Sequence, residues 1–191
     1  MITAIILASG YSRRFGKNKL LHRMDDRPII LNVAELVIRL GFDDAILVYQ
    51  DEEVKEAVPP GIRCIRNPNA AEGISSSIRC GIDAASSPSA YIFFMGDQPF
   101  LDEDCVKKVV DAFNEKKGSI IVPLYEGKRG NPVLFDASWK ESLKKISGDA
   151  GGRVLIDENP GRVFFVETGS KIAGFDIDTM EDCNTGPGRV P

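Results

Sequence analysis

A doubly wound α/β fold, with a mostly parallel sheet and helices on both faces, is the architecture this 191-residue sequence predicts. Three observations point to it. Strand-like and helix-like runs alternate along the chain. The strand-like runs, above all residues 2–7, 45–49 and 90–95, are continuously apolar, as strands buried on both faces are. A loop of small residues follows the first strand directly, and such sheets bind ligands at the carboxyl ends of their strands. The length suits one domain with a full hydrophobic core, placed at residues 1–182, with 183–191 as a frayed tail rich in turn residues.

The elements follow in order. After the strand at 4–7, residues 28–40 carry Ile29, Val33, Leu36, Val37 and Leu40 on one helical face, and Gly41 ends that helix. Residues 45–49 form the second strand. A short acidic helix over 52–57 is broken by Pro59-Pro60-Gly61. A strand over 62–65 ends at Asn67-Pro68, and a helix runs from about 75 to 85. The most apolar strand, 90–95, stops at Gly96-Asp97-Gln98-Pro99. A helix over 102–115, a strand over 119–122, a Gly-rich connection over 125–132 and a short strand over 133–135 come next. Helices near 138 and 153–157, and strands at 163–166 and 175–177, complete the chain.

Composition removes several function classes. The net charge of −4 argues against broad nucleic-acid binding, which needs a basic face. The apolar start is followed by Arg13-Arg14, the reverse of a secretory signal, and no apolar run approaches the roughly 20 residues of a membrane span. Cys64, Cys80, Cys105 and Cys183 are scattered and read as reduced thiols of a cytoplasmic protein. His22 is the only histidine and no Gly-x-Ser-x-Gly elbow is present, which excludes a Ser-His-Asp hydrolase and histidine-rich zinc sites. A metal here is a hard cation on carboxylates and phosphate.

The chemistry concentrates in Ala8-Ser9-Gly10-Tyr11-Ser12-Arg13-Arg14-Phe15-Gly16-Lys17-Asn18-Lys19. A strand ending in such a loop lets backbone N–H groups approach phosphates, and Arg13, Arg14, Lys17 and Lys19 can neutralise a polyphosphate. It is not a Walker A loop: five residues separate Gly10 from Gly16, and Asn18 follows Lys17. Gly-x-Gly-x-x-Gly is absent as well. Asp97, at the end of a buried strand, suits Mg²⁺ or else a turn that caps the next helix. Asp176 and Asp178 fall on one side of an extended segment. The helix start at Gly73-Ile74-Ser75-Ser76-Ser77 offers free N–H groups and hydroxyls to an anion or a sugar, or carries ordinary caps.

Leu7-Ala8-Ser9-Gly10-x-Ser12-Arg13-Arg14-Phe15-Gly16-x-x-Lys19 resembles the signature of the molybdenum cofactor nucleotidyltransferases. Five further segments are similar to that family in order: Gly73 to Ile78, Gly96-Asp97-Gln98-Pro99, Lys128 to Phe135, Gly148 to Arg153, and Asp176 to Asp182. The Gln98-Pro99 pair and Ala8-Ser9-Gly10 look like the cytidylyltransferase form. Met180 stands where the family has Pro.

The resemblance implies a nucleotide-diphospho-sugar transferase-like, Rossmann-like fold. It implies transfer of CMP from CTP to the terminal phosphate of molybdenum-loaded molybdopterin, with release of pyrophosphate and a molybdenum hydroxylase as client. Arg13, Lys19 and Asp97 would act in the reaction, and Asp97 with Asp178, favoured over Asp176, would hold Mg²⁺. Leu7, Ala8, Ser9, Gly10, Arg13, Arg14, Lys19, Asn67, Gly73 and Ser77 would bind the nucleotide. Gly130, Asn131, Pro132, Gly148, Asp149, Gly151 and Arg153 would bind the acceptor. GTP as donor, a sugar- or alditol-phosphate acceptor, and a non-catalytic pterin carrier stay open as alternatives.

Overall fold

A sheet of eight strands carries the molecule, in the order β10-β7-β9-β6-β1-β4-β5 with β8 paired to β7. The computed structural model describes residues 1–10 and 18–185. The strands are β1 (Ile2–Ala8), β2 (Arg23–Met24), β3 (Arg27–Pro28), β4 (Asp44–Tyr49), β5 (Arg63–Arg66), β6 (Ala90–Met95), β7 (Ile120–Tyr125), β8 (Lys128–Arg129), β9 (Val133–Asp136) and β10 (Val163–Glu167). Between them lie α1 (Ile29–Leu40), α2 (Glu52–Glu56), α3 (Ile74–Ala84), α4 (Glu103–Asn114), α5 (Lys140–Lys145) and α6 (Arg153–Glu158), with α7 (Met180–Thr185) at the end.

The α/β architecture is the expected one. β1 pairs in parallel with β4 and β6, β4 with β5, and β7 with β10. β9 is antiparallel to both β6 and β7, so along that path it alone runs against the rest. The continuous apolar run of β1 splits by period two. Ala4, Ile6 and Ala8 join one core with Val33, Val37, Val106 and Val109 from α1 and α4. Ile5 and Leu7 join the other core with Ile78, Ile82, Leu143 and Ile156 from α3, α5 and α6. α3 lies close on the sheet at Gly81, where an added Cβ would come within 2.6 Å of Ile5 Cγ2. α1 stops at Gly41, which is left-handed at φ +64° and donates its N–H to the Ile38 carbonyl.

Two expectations need correction. Residues 175–177 form no strand: their extended backbone is tied by Ile177 N–H to the Asp97 carbonyl at 3.1 Å. Phe175 and Ile177 alternate with Asp176 like a strand, yet the segment meets only the tip of β6. The tail expected to fray from residue 183 begins as α7, and Cys183 is buried with Met24, Ile29 and Ile177. The β2–β3 hairpin was not anticipated; Asp25 and Asp26 turn it with φ of 53° and 62°. The connection over 125–132 contains a second hairpin, in which β8 folds back on β7. Among the described residues no helix is long and apolar enough to cross a membrane.

Candidate active site at the strand ends

The carboxyl ends of β1 and β6 lie side by side, with Leu7 paired to Met95. This brings Ser9 and Gly10 to the same rim as Asp97. Gly96 donates its N–H to the Leu7 carbonyl at 3.1 Å, and a Cβ on it would come within 2.9 Å of Ile30 Cδ1. The chain therefore turns tightly over α1 and delivers Asp97 to the rim. Lys19 opens a 3₁₀ turn (Lys19–Leu21) that Asn18 caps by accepting the Leu20 N–H. Asn18 is itself fixed by donation to Asp51 at 2.9 Å.

Lys19 Nζ stands 2.5 Å from Asp97 Oδ2 and 3.1 Å from Asp178 Oδ1. Lys19 and Asp97 are largely buried, whereas the Asp178 side chain is exposed. Burial opposes the lysine charge, but the charges and hydrogen bonds of Asp97 and Asp178 outweigh it and raise its pKa. Asp97 Oδ1 is buried and has no hydrogen-bond partner among the described residues. Asp176 stands behind the pair and accepts from Gln98 Nε2 at 2.7 Å. Burial, and then the Asp97 charge, push its carboxyl up to about 6 despite that hydrogen bond. Asp97 Oδ2 and Asp178 Oδ1, two hard oxygens that converge on one position, fit a divalent cation that takes one or two carboxylates plus phosphate oxygens.

A buried polar cluster supports the loop from behind. Asn67 Nδ2 donates to Ser76 Oγ at 2.8 Å, to Ser77 Oγ at 3.1 Å and to Ser9 Oγ at 3.4 Å. Ser9 and Ser77 share a hydrogen bond of 2.5 Å. Asn67 Oδ1 accepts the Asn69 N–H, and its backbone N–H goes to the Tyr49 carbonyl at 2.7 Å. The Asn67 side chain is thus spent on holding β1 to α3.

The start of α3 is capped rather than open, the second of the two readings the sequence left. Asp149 Oδ1 accepts the Ile74 N–H at 3.2 Å, and the Gly148 carbonyl accepts the Ser75 N–H at 3.1 Å. Gly73 permits this contact. Its φ is +90°, and an added Cβ would come within 2.7 Å of Gly148 C. The loop after α5 thereby caps a helix some 75 residues earlier.

Two cavities open on this rim. One, of about 560 Å³, is lined by Ser9, Gly10, Lys19, Gly73, Ser77, Asp97 and Asp149 among others. The other, of about 460 Å³, has an apolar floor that includes Phe93, Val122 and Phe135, and a rim of Lys128, Arg129 and Arg153. Leu7, Ile74 and Met95 line both. Arg129 stacks over Phe165 at 5.1 Å and, like Arg153, pairs with Asp157. Gly130 lies against the Tyr125 ring, and the Tyr125 hydroxyl donates to the Asn131 carbonyl at 2.6 Å.

The residues singled out in the sequence divide accordingly. Leu7, Ser9, Gly10, Lys19, Gly73, Ser77 and Asp97 meet at the first cavity, and Gly130, Asn131 and Arg153 at the second. Asp178 reaches the first group through Lys19. Ala8 and Asn67 are buried and line neither. Asp149, expected beside the acceptor, faces the first cavity; Pro132, Gly148 and Gly151 line neither. Arg13 and Arg14 lie outside the described residues. Lys128 and Arg129 were missed as site residues, although two cations at a turn beside Gly130 carried the signal.

A mostly parallel sheet whose strand ends carry Ser9-Gly10, a bridging lysine and convergent carboxylates is the frame of an α/β nucleotidyltransferase. The chain belongs to the family of the MobA-like NTP transferase domain, whose model matches residues 4–163. It is 30% identical to the molybdenum cofactor cytidylyltransferase of Escherichia coli K12, over 98% of this chain and 96% of that protein. It is 25% identical to the nicotine blue oxidoreductase of Paenarthrobacter nicotinovorans, over 94% and 93% of the two chains. A probable molybdenum cofactor guanylyltransferase of Thermococcus sibiricus shares 27% over 74% of this chain and 72% of its own. The fold matches the crystal structure of Rv0371c from Mycobacterium tuberculosis H37Rv with a TM-score of 0.84, 22% identity and coverage of 96% and 95%.

Proposed function

We propose that this nucleotidyltransferase transfers CMP from CTP to the terminal phosphate of molybdenum-loaded molybdopterin and releases pyrophosphate. The observation that carries the reading is the meeting of Asp97 and Lys19, with Asp178 bound to Lys19, at a cavity that shares a wall with a second, cation-rimmed one. Ser9 and Gly10 present the end of β1 to the triphosphate, and Lys19 supplies the positive charge that the polyphosphate needs. The apolar floor of the second cavity suits a planar pterin, and Lys128, Arg129 and Arg153 suit its phosphate. The shared wall of Leu7, Ile74 and Met95 sets the two substrates side by side for in-line attack. An acceptor phosphate oxygen forms the new bond to the α-phosphorus as the bond to pyrophosphate breaks. That oxygen is ionised at neutral pH, so no general base is required. Mg²⁺ held by Asp97 and Asp178 would offset charge on the phosphates.

The cytidylyltransferase-like Ala8-Ser9-Gly10 and Gln98-Pro99, and the E. coli cytidylyltransferase among the relatives, favour CTP over GTP. The test is pyrophosphate release with Mg²⁺ and molybdenum-loaded molybdopterin, offering CTP, GTP and ATP separately. Release selective for CTP is expected. Selectivity for GTP overturns the base assignment, and no release with any of the three overturns the acceptor. Asp97→Ala is expected to lose turnover by orders of magnitude, whereas a pure pterin carrier would keep its ligand.

A further inference from the structure

The place between Asp97 Oδ2 and Asp178 Oδ1 is held by Lys19 Nζ, 2.5 Å from one and 3.1 Å from the other. We propose that Lys19 is an exchangeable internal counter-ion: in the metal-free protein it locks the Asp97–Asp178 pair, and a divalent cation bridges the pair only when the ammonium leaves. The inference rests on the reading that these two aspartates hold the metal.

Three features support the exchange. Asp97 is largely buried, and its other oxygen, Oδ1, is covered and without a partner among the described residues. Oδ2, which faces Asp178 across the ammonium, is therefore the Asp97 oxygen that would hold a cation shared with Asp178, and Nζ would have to leave that place first. Among the described residues, the cluster also stays under-neutralised, because Asp176 packs beside the pair and one ammonium faces three carboxylates. A doubly charged ion is thus a better partner than the lysine. Finally, Lys19 lines the cavity assigned to the triphosphate, and its ammonium rides on a flexible four-carbon stem. Leaving the carboxylates brings the charge to the phosphates. Metal entry and lysine delivery are then one event, and the aspartates are kept ordered before the metal arrives.

The exchange carries a measurable cost. If Lys19 occupies the pair nine-tenths of the time, apparent metal affinity is about 10-fold below the intrinsic value. The test is a titration with Mn²⁺ alone, without nucleotide, read by the free-Mn²⁺ electron paramagnetic resonance signal. Lys19→Met and Lys19→Gln are expected to bind Mn²⁺ at least about 10-fold more tightly than the natural protein. Lys19→Gln keeps a hydrogen-bond donor for Asp97 and so guards against a folding defect. Lys128→Gln makes the same change of charge at the neighbouring cavity and should leave affinity unchanged. Equal or weaker binding in both Lys19 variants, or binding in none, overturns the exchange. If Asp97→Asn fails to weaken Mn²⁺ binding in the Lys19→Gln background, the metal assignment itself falls.

Discussion

Gly73→Ala tests the docking of the 148–149 loop on α3. Gly73 has φ +90° and ψ −174°, a region reserved for glycine, where a side chain costs about 1–3 kcal/mol. The new Cβ would stand 2.7 Å from Gly148 C and 2.8 Å from Gly148 O, so the loop must withdraw. Withdrawal breaks the bonds from Ile74 N–H to Asp149 and from Ser75 N–H to Gly148, each worth about 0.5–1.5 kcal/mol. The total is about 2–6 kcal/mol. At a urea slope of about 2 kcal/mol/M, the midpoint falls by about 1–3 M. Asp149→Ala alone should cost about 1 kcal/mol, and in the Gly73→Ala background almost nothing, because its contact is already lost. Urea unfolding of the four proteins in this cycle decides the matter. A Gly73→Ala midpoint equal to that of the natural protein, or an Asp149→Ala cost undiminished in that background, refutes the account.

Three further outcomes follow from the geometry. Asn67→Ala removes the common partner of Ser9, Ser76 and Ser77, and should lower stability by about 2–3 kcal/mol in the same unfolding assay. Arg153→Ala should raise the acceptor KM about 10-fold and leave the KM for CTP unchanged in steady-state kinetics, because Arg153 lines only the second cavity. Cys105 is buried, and burial pushes its thiol up to about 11, so Ellman's reagent at pH 8 should spare it in the folded protein while reaching the less buried Cys64 and Cys80. Because the folded thiol holds its proton beyond the ordinary value of 9.0, its contribution to stability is complete below pH 9 and is lost as pH rises toward 11. Cys105→Ala should flatten that part of a stability-against-pH curve.

The sequence announced the first cavity better than the second, for a physical reason. Ser9, Gly10 and Asp97 follow apolar strands directly, and parallel strands carry whatever succeeds them to one rim. Lys19 joins them through a turn only nine residues beyond Gly10. The role of Asn67 was hidden, because nothing local to it shows that Ser9 and Ser77 would converge on its amide. The docking of Asp149 on Ile74 N–H was equally hidden, since it joins segments far apart in the chain. The short apolar run of β9 marks a strand but not its direction, which β6 and β7 impose by pairing with it from both sides. Asp176 and Gln98 each looked like separate motif residues, and only the folded chain shows that one holds the other.

The reversed strand has a consequence for how this molecule can change over evolutionary time. Because β9 returns between β6 and β7, the walls peculiar to the second cavity come, apart from Ile78 and Phe93, from the contiguous stretch 122–156. The walls peculiar to the first cavity, apart from Asp149, all come from residues 9–97. One uninterrupted stretch of gene can therefore be rewritten to reshape the second cavity while the walls of the first, Asp149 apart, are inherited unchanged.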